Sequence, residues 1–258
     1  MPFTPAHVAA VLPVVGSRGR WVVPAAWVVG SMSPDLVYFT PAGWVRPLSH
    51  SLVGLLTLDP ALGVLVLAAW WTLLGPAARD LLPRPWRART PVPRAPSRER
   101  WVWVLVGLLG GSVTHVAWDA FTHQDGAVVT RVPALGDPLL GGLPAYAVLQ
   151  LLSGVVGLLV VGWWCRRALR WSEPLQAEDD AGAGVLRDHE RCAARTMVVA
   201  LPLGFGAGLS ALGYAVGLPL LSSLFIGLTR AVGICTVVAL IAAAGWRELR
   251  RRRTAGSV

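Results

Sequence analysis

The sequence predicts an all-α fold: a polytopic membrane helical bundle of about five transmembrane helices with a folded-back N-terminal helical segment. Three observations carry this. Apolar residues make up 54% of the 258 and charged residues only 14%, against about 25% charged in an ordinary soluble domain. Apolar stretches of about 20 residues, enough helix to cross a hydrocarbon core, recur along the chain. Arginine supplies all 23 basic residues and gathers between those stretches. The hydrophobicity excludes disorder. Three scattered cysteines (Cys165, Cys192, Cys235) exclude a disulfide framework or a paired-cysteine zinc site.

Taken in order, Val8 to Val15 and Trp21 to Gly30 are apolar but short, split by Ser17-Arg18-Gly19-Arg20. They predict interfacial or re-entrant helices, because a crossing would bury Arg18 and Arg20. No charged segment precedes them, so a cleavable signal peptide is not expected. Ser51 to Gly75 is long enough to span and carries Asp59-Pro60, a break or kink. Asp before Pro is also a helix-start pair, with Asp59 as N-cap. Four uninterrupted spans follow: Trp101 to Phe121, Leu143 to Cys165, Thr196 to Leu218 and Ser222 to Gly245. Pro83 to Arg100 and Ser172 to Arg195 read as linkers. No internal repeat is visible. The organisation expected is one integral membrane domain over 1–258, with the motifs in 1–165, two additional spans in 196–245 and a basic cytoplasmic tail in 246–258.

Charge orients the spans. Seven arginines lie in Pro76 to Arg100, six in Arg166 to Arg195 and five after Trp246; only Arg18, Arg20, Arg46 and Arg131 fall opposite, and Arg230 is embedded. The positive-inside rule places the three arginine-rich segments, and the C-terminus, in the cytoplasm. Trp70, Trp71, Trp101, Trp103, Trp163, Trp164 and Trp246 mark the same ends as an aromatic belt. The net charge of +9 then reads as attraction to membrane lipids, at about 1 kcal/mol per residue, and not as a nucleic-acid surface.

Four of the five histidines stand beside acidic or hydroxyl residues in the first half: His7, His50 within Ser49-His50-Ser51, and His115 and His123 around Asp119; Asp35 follows Gly30-Ser31-Met32-Ser33-Pro34. His115, Asp119 and His123 are spaced i, i+4, i+8, which stacks them on one helix face. His50 opens the first span and His123 closes the second on the same outer side, with His115 on the order of 10 Å deeper and Asp59 at a similar depth. Imidazole and carboxylate donors suit zinc and other divalent metals, and intramembrane acids and histidines mark function by default. A packing or N-cap role is the competing reading for His7 and Asp59. His189 reads as solvated. Arg230 pairs with Asp59 or Asp119, or snorkels. Gly204-Phe205-Gly206-Ala207-Gly208 lies in an apolar span and is no phosphate loop; Gly204/Gly208 and Gly213/Gly217 suit close helix packing. No serine sits in a nucleophile elbow.

The opening Met1-Pro2-Phe3-Thr4-Pro5-Ala6-His7, then Gly30-Ser31-Met32-Ser33-Pro34-Asp35, Ser49-His50-Ser51-Leu52 and Thr114-His115-Val116-Ala117-Trp118-Asp119-Ala120-Phe121-Thr122-His123 resemble a bacterial domain-of-unknown-function family of small integral membrane proteins. That family is similar to membrane-bound metal-dependent hydrolases of the YdjM-like type. More distantly, the order His, Pro-Asp, His, His-x-x-x-Asp, His resembles the ligand pattern of zinc-dependent phospholipase C. The close resemblance covers residues 1 to 165. It implies a bacterial cytoplasmic (inner) membrane location. It also implies His7, Asp35, His50, His115, Asp119 and His123 as metal ligands, with Asp119 bridging or orienting water and His115 beside it in catalysis. Leu151 stands where the close family has a histidine after Leu149-Gln150, and a further His-x-x-x-Glu pair is absent; one or two ions, most simply zinc, follow instead of a three-metal cluster.

The function expected is hydrolysis of a phosphoester or lipid near the outer face of the membrane, by water activated at the ion. The alternative is a non-enzymatic membrane protein whose His/Asp cluster is structural, ion-binding or proton-handling. Transport is disfavoured, since paired broken helices in two related halves are not visible.

Overall fold

The structure, a computed structural model, describes residues 4–17, 19–173 and 185–255. Met1-Pro2-Phe3, Arg18, part of the Ser172 to Arg195 linker and the end of the basic tail lie outside the described residues.

A 3-10 turn, Thr4–His7, leads into α1 (Val8–Gly16) and α2 (Pro24–Gly30), then a 3-10 stretch, Ser33–Phe39. Next come α3 (Arg46–Ser49), α4 (Leu52–Leu56) and α5 (Leu58–Ala69), which continues through a π turn, Trp70–Leu74, into α6 (Gly75–Leu81). After α7 (Arg84–Arg87) and α8 (Trp101–Thr122), the strands β1 (Pro138–Leu140) and β2 (Leu143–Pro144) form a small hairpin. Three long helices finish the chain: α9 (Ala145–Trp171), α10 (Asp188–Ala215) and α11 (Leu220–Ala255). Among the described residues, five stretches are long and apolar enough to cross a membrane: Leu58–Leu81, Arg98–Thr122, Ala145–Trp171, Asp188–Ala215 and Ser222–Arg253. This is the all-α polytopic bundle that the composition predicts. The contacts divide the chain into two compact units, one built from residues up to Leu67 with Pro96–Arg166, the other from Ala68–Ala95 and the chain after Arg166.

In the first unit the N-terminal segment folds back as expected. With nine and seven residues, α1 and α2 are far shorter than the ~20 a span needs. Pro24 opens α2, where its missing N–H costs nothing. Glycines let α2 lie directly on α8: a Cβ on Gly111 would stand 2.5 Å from Ser31 N and Trp27 O, and one on Gly30 would strike the Leu108 carbonyl. Val8, Val11, Leu12 and Val15 form a core closed by Trp27, Met32, Val161 and Trp164.

Three boundaries differ from the sequence reading. The break near Asp59-Pro60 comes at Thr57, whose φ of −126° and ψ of −68° leave the helix. Asp59 is not an N-cap: α5 starts at Leu58, and neither carboxylate oxygen has a hydrogen-bond partner. The cap in this region is Ser51, whose Oγ accepts from Gly54 N at 3.1 Å. The third span starts at Ala145 instead of Leu143, because Gly141 and Gly142 take φ of 58° and 78°. Two consecutive left-handed residues make the tight turn of a hairpin.

In the second unit α10 packs on α11 through Gly206 and Gly227, where a Cβ on Gly206 would stand 2.7 Å from Gly227 O. Of the glycines suited to close packing, Gly213 meets α11, where a Cβ would stand 3.1 Å from Ser223 Oγ, whereas Gly204 and Gly208 face open space. α10 starts earlier than predicted, at Asp188, and stops short at Ala215, while α11 runs on past Gly245. Glu190 accepts from Arg187 N at 2.7 Å at the start of α10, and the Glu248–Arg252 pair at 2.8 Å supports the end of α11. Exposed His189 is therefore helical, and the basic tail continues α11 as far as Ala255. Asp80 is buried and accepts from Trp246 Nε1 (2.8 Å), Leu186 N (3.0 Å), Arg191 Nη2 (3.1 Å) and Arg87 Nη1 (3.2 Å).

Candidate metal centre

The polar residues of the first half converge because four local structures aim them at one point. One turn apart on α8, His115 and Asp119 share its buried face, at 0% and 3% exposure. The 3-10 stretch after α2 delivers Asp35, also fully buried. His50 terminates α3 as its C-cap, and His7 closes the first 3-10 turn. His123 departs from the expected third position on the helix face: α8 stops at Thr122, and His123 is its C-cap with extended backbone. It turns back so that Nδ1 lies 3.4 Å from Asp119 Oδ2.

Asp35, His50, His115 and Asp119 each offer one ligand atom within 4.8 Å of the other three. Nε2 of His50 lies 3.2 Å from Asp119 Oδ2 and 3.7 Å from Asp35 Oδ1; Nε2 of His115 lies 3.5 Å from both. His7 flanks the group, its ring stacked on His115 at 3.8 Å and its Nε2 3.6 Å from Asp119 Oδ1.

Hydrogen bonds behind the group assign the tautomers. Nδ1 of His115 donates to the Ser31 carbonyl at 2.8 Å, which leaves a lone pair on Nε2. Ser49 Oγ has two carbonyl acceptors for its single proton, Pro34 O at 2.8 Å and Arg46 O at 3.1 Å, and so is placed to accept from His50 Nδ1, 3.0 Å away. His50 too presents a lone pair at Nε2. Thr4 Oγ1 donates to Asp35 Oδ2 at 2.6 Å, leaving Oδ1 for the group. Gln150 Nε2 stands 3.4 Å from His123 Nε2. Burial lowers the His7 pKa to about 4, with His115 adding to the effect, so its imidazole is neutral at pH 7.

Two imidazole nitrogens and two carboxylate oxygens therefore point at one another: Asp35 Oδ1 and His115 Nε2 are buried with no hydrogen-bond partner among the described residues, while His50 Nε2 and Asp119 Oδ2 lie within hydrogen-bonding distance of each other. Acceptors facing inward repel one another unless a cation or a shared proton stands between them. A tetrahedral ion with bonds of about 2.0–2.1 Å separates its ligands by about 3.3 Å, close to the four distances above. The donor set fits a divalent transition metal, and the group can hold one. All six residues singled out in the sequence lie at this place, four in the inner group and His7 and His123 against Asp119. Ser31, Ser49, Thr4 and Gln150 complete it. Sequence reading gave them no role, because one polar residue in an apolar chain carries no signal of its partner.

Over residues 1–244 the chain matches a family described as a domain of unknown function (DUF4184), and it belongs to that family. No curated protein and no solved structure matches it.

Proposed function

We propose that this member of the DUF4184 family is a membrane-embedded, metal-dependent hydrolase of phosphoesters, with Asp35, His50, His115 and Asp119 as ligands of one divalent ion, most simply zinc. The observation that carries the reading is the set of inward-facing acceptors. A protonated imidazole bonding a carboxylate would draw in to about 2.7–2.9 Å, whereas three of the four Nε2–oxygen distances are 3.5 to 3.7 Å. That spacing supports an ion over a proton network.

When bound, the ion would polarise a phosphoryl oxygen and make water a stronger nucleophile near neutral pH. The protein's part is to prepare the site. Ser31 and Ser49 fix which nitrogen of His115 and His50 faces inward, as outer partners of metal-bound histidines commonly do. Thr4 orients Asp35, while His7 and His123 hold Asp119 from either side. The distribution of arginine supports a cytoplasmic C-terminus and a site toward the outer face of a bacterial cytoplasmic membrane.

The test is metal content of the detergent-purified protein, wild type against His115→Ala and Asp119→Asn. Stoichiometric divalent metal in the wild type and none in either variant is the expected result, followed by metal-dependent hydrolysis of soluble aryl phosphoesters. A wild type that takes up no divalent ion after reconstitution overturns the proposal. Stoichiometric metal without hydrolysis of any phosphoester would leave a structural ion site.

A further inference from the structure

A cavity of about 390 Å³ lies between the N-terminal segment, α8 and α9. Small side chains create it: Ala9 and Ala10 on α1, Ala117 on α8, and Gly154 on α9, with Phe121 and Val160 completing the apolar wall. Among the described residues its lining includes no arginine, aspartate or glutamate, and the polar groups that reach it are His7, Thr114, Thr122, Gln150, Ser153 and the indole of Trp118. Two of them belong at the same time to the metal centre's surroundings. His7 Nε2 is 3.6 Å from Asp119 Oδ1, and Gln150 Nε2 is 3.4 Å from His123 Nε2. The cavity thus shares a wall with the cluster. Trp118 Nε1 donates to Ser153 Oγ at 3.2 Å, bridging α8 to α9 beside it.

The opposite side is open. Ala10, Ala117, Val156 and Val160 are exposed at the surface of this unit. Ala117 and Val160 also lie inside two stretches apolar enough to cross a membrane, where the surroundings are hydrocarbon. A volume near the low end of small-molecule pockets, about 300–1,000 Å³, suits one extended chain.

We infer that this cavity takes the hydrocarbon chain of an amphiphilic phosphoester that enters from the lipid side and brings its head group to the Asp35/His50/His115/Asp119 group. The inference rests on the proposed hydrolase reading and adds its substrate class: a phosphoester bearing a long alkyl, acyl or prenyl chain. The shared wall at His7 and Gln150 carries it, because an apolar pocket contiguous with a cation-seeking cluster matches a ligand with one apolar and one anionic end.

Photocrosslinking tests it with the full chain in detergent, loaded with zinc. The probe is a long-chain alkyl phosphate with a diazirine near the end of its chain; the control is the corresponding alcohol. Expected are adducts on α1 and α9 around Ala10, Val156 and Val160, at least tenfold stronger for the phosphate. Excess unlabelled long-chain alkyl phosphate should compete, and methyl phosphate should not. Ala117→Phe and Ala10→Phe should each cut the labelling at least tenfold, with metal content reporting that the variants are folded. Equal labelling by phosphate and alcohol, or labelling that both variants leave intact, means that ordinary bilayer lipid fills the groove, and the inference falls. Hydrolysis separates the two claims. Soluble esters cleaved as well as long-chain ones, with unselective labelling, overturn the chain site and leave the hydrolase. Selective labelling with no hydrolysis of any ester overturns the hydrolase and leaves the site.

Discussion

The ring nitrogen Nδ1 of His115 lies 2.8 Å from the carbonyl oxygen of Ser31, a contact across 84 residues of sequence. It exists because α2 and α8 touch backbone to backbone at Gly30 and Gly111. The glycines that look like packing detail therefore set the tautomer of a candidate ligand. Gly111→Ala must push Ser31 away, since its Cβ would meet Ser31 N and Trp27 O at 2.5 Å. Overpacking of this kind costs about 1–3 kcal/mol. The expected outcome is a lower melting temperature together with weaker metal binding by titration. Gly16→Ala is the control, because no described residue would lie within 4 Å of its Cβ.

Two serines either side of His50 separate site from scaffold. Ser49 accepts from His50 Nδ1, whereas Ser51 caps α4 through Gly54 N. Ser49→Ala should weaken metal affinity by about 10–100-fold, the usual cost of losing an outer partner. Ser51→Ala should cost about 1 kcal/mol of stability and leave affinity unchanged. Equal affinities for the two variants would remove Ser49 from the account.

How far the sequence carried this arrangement depends on the range of each signal. The i, i+4 pair His115 and Asp119 was legible because helical period alone puts both on one face. The spans were legible because length and apolarity define them. His123 misled, since periodicity extends a pattern past the residue where the helix ends. Asp59 misled in the opposite way: Asp-Pro is a sound local helix-start signal, yet the helix starts two residues before Pro60, at Leu58, and the carboxylate is left without a hydrogen-bond partner among the described residues. The partnerships Thr4–Asp35 and Ser49–Pro34 depend on how the N-terminal segment folds back, which no local pattern encodes. The Gly141-Gly142 turn had a readable signature in the dipeptide itself.

The second unit has its own polar anchor. Asp80 holds Arg87, Arg191 and Trp246, and Arg191 is 7% exposed. Asp80→Ala leaves that guanidinium without its buried partner, a loss of about 3–5 kcal/mol in comparable cases. Limited proteolysis should then cut within α10 or α11 at protease levels the wild type resists. Metal content per chain should stay at the wild-type value, because the ligands belong to the other unit. Loss of metal in this variant would show that the two units do not fold independently.

Metal removal gives the sharpest stability prediction. Without an ion, the carboxylates of Asp35 and Asp119 and the lone pairs of His50 and His115 face one another in a buried space. A ligand at a hundred times its dissociation constant stabilises the state that binds it by about 2.7 kcal/mol. At about 2–4 °C per kcal/mol for a chain of this size, chelation should lower the melting temperature by roughly 5–10 °C. Asp119→Asn removes one of the facing charges and the site's shared ligand together. Its melting temperature should lie at or above that of the chelated wild type, below that of the metal-loaded wild type, and should not respond to chelator. A wild type indifferent to chelator, with Asp119→Asn melting lower still, would make the cluster a self-sufficient proton and hydrogen-bond network.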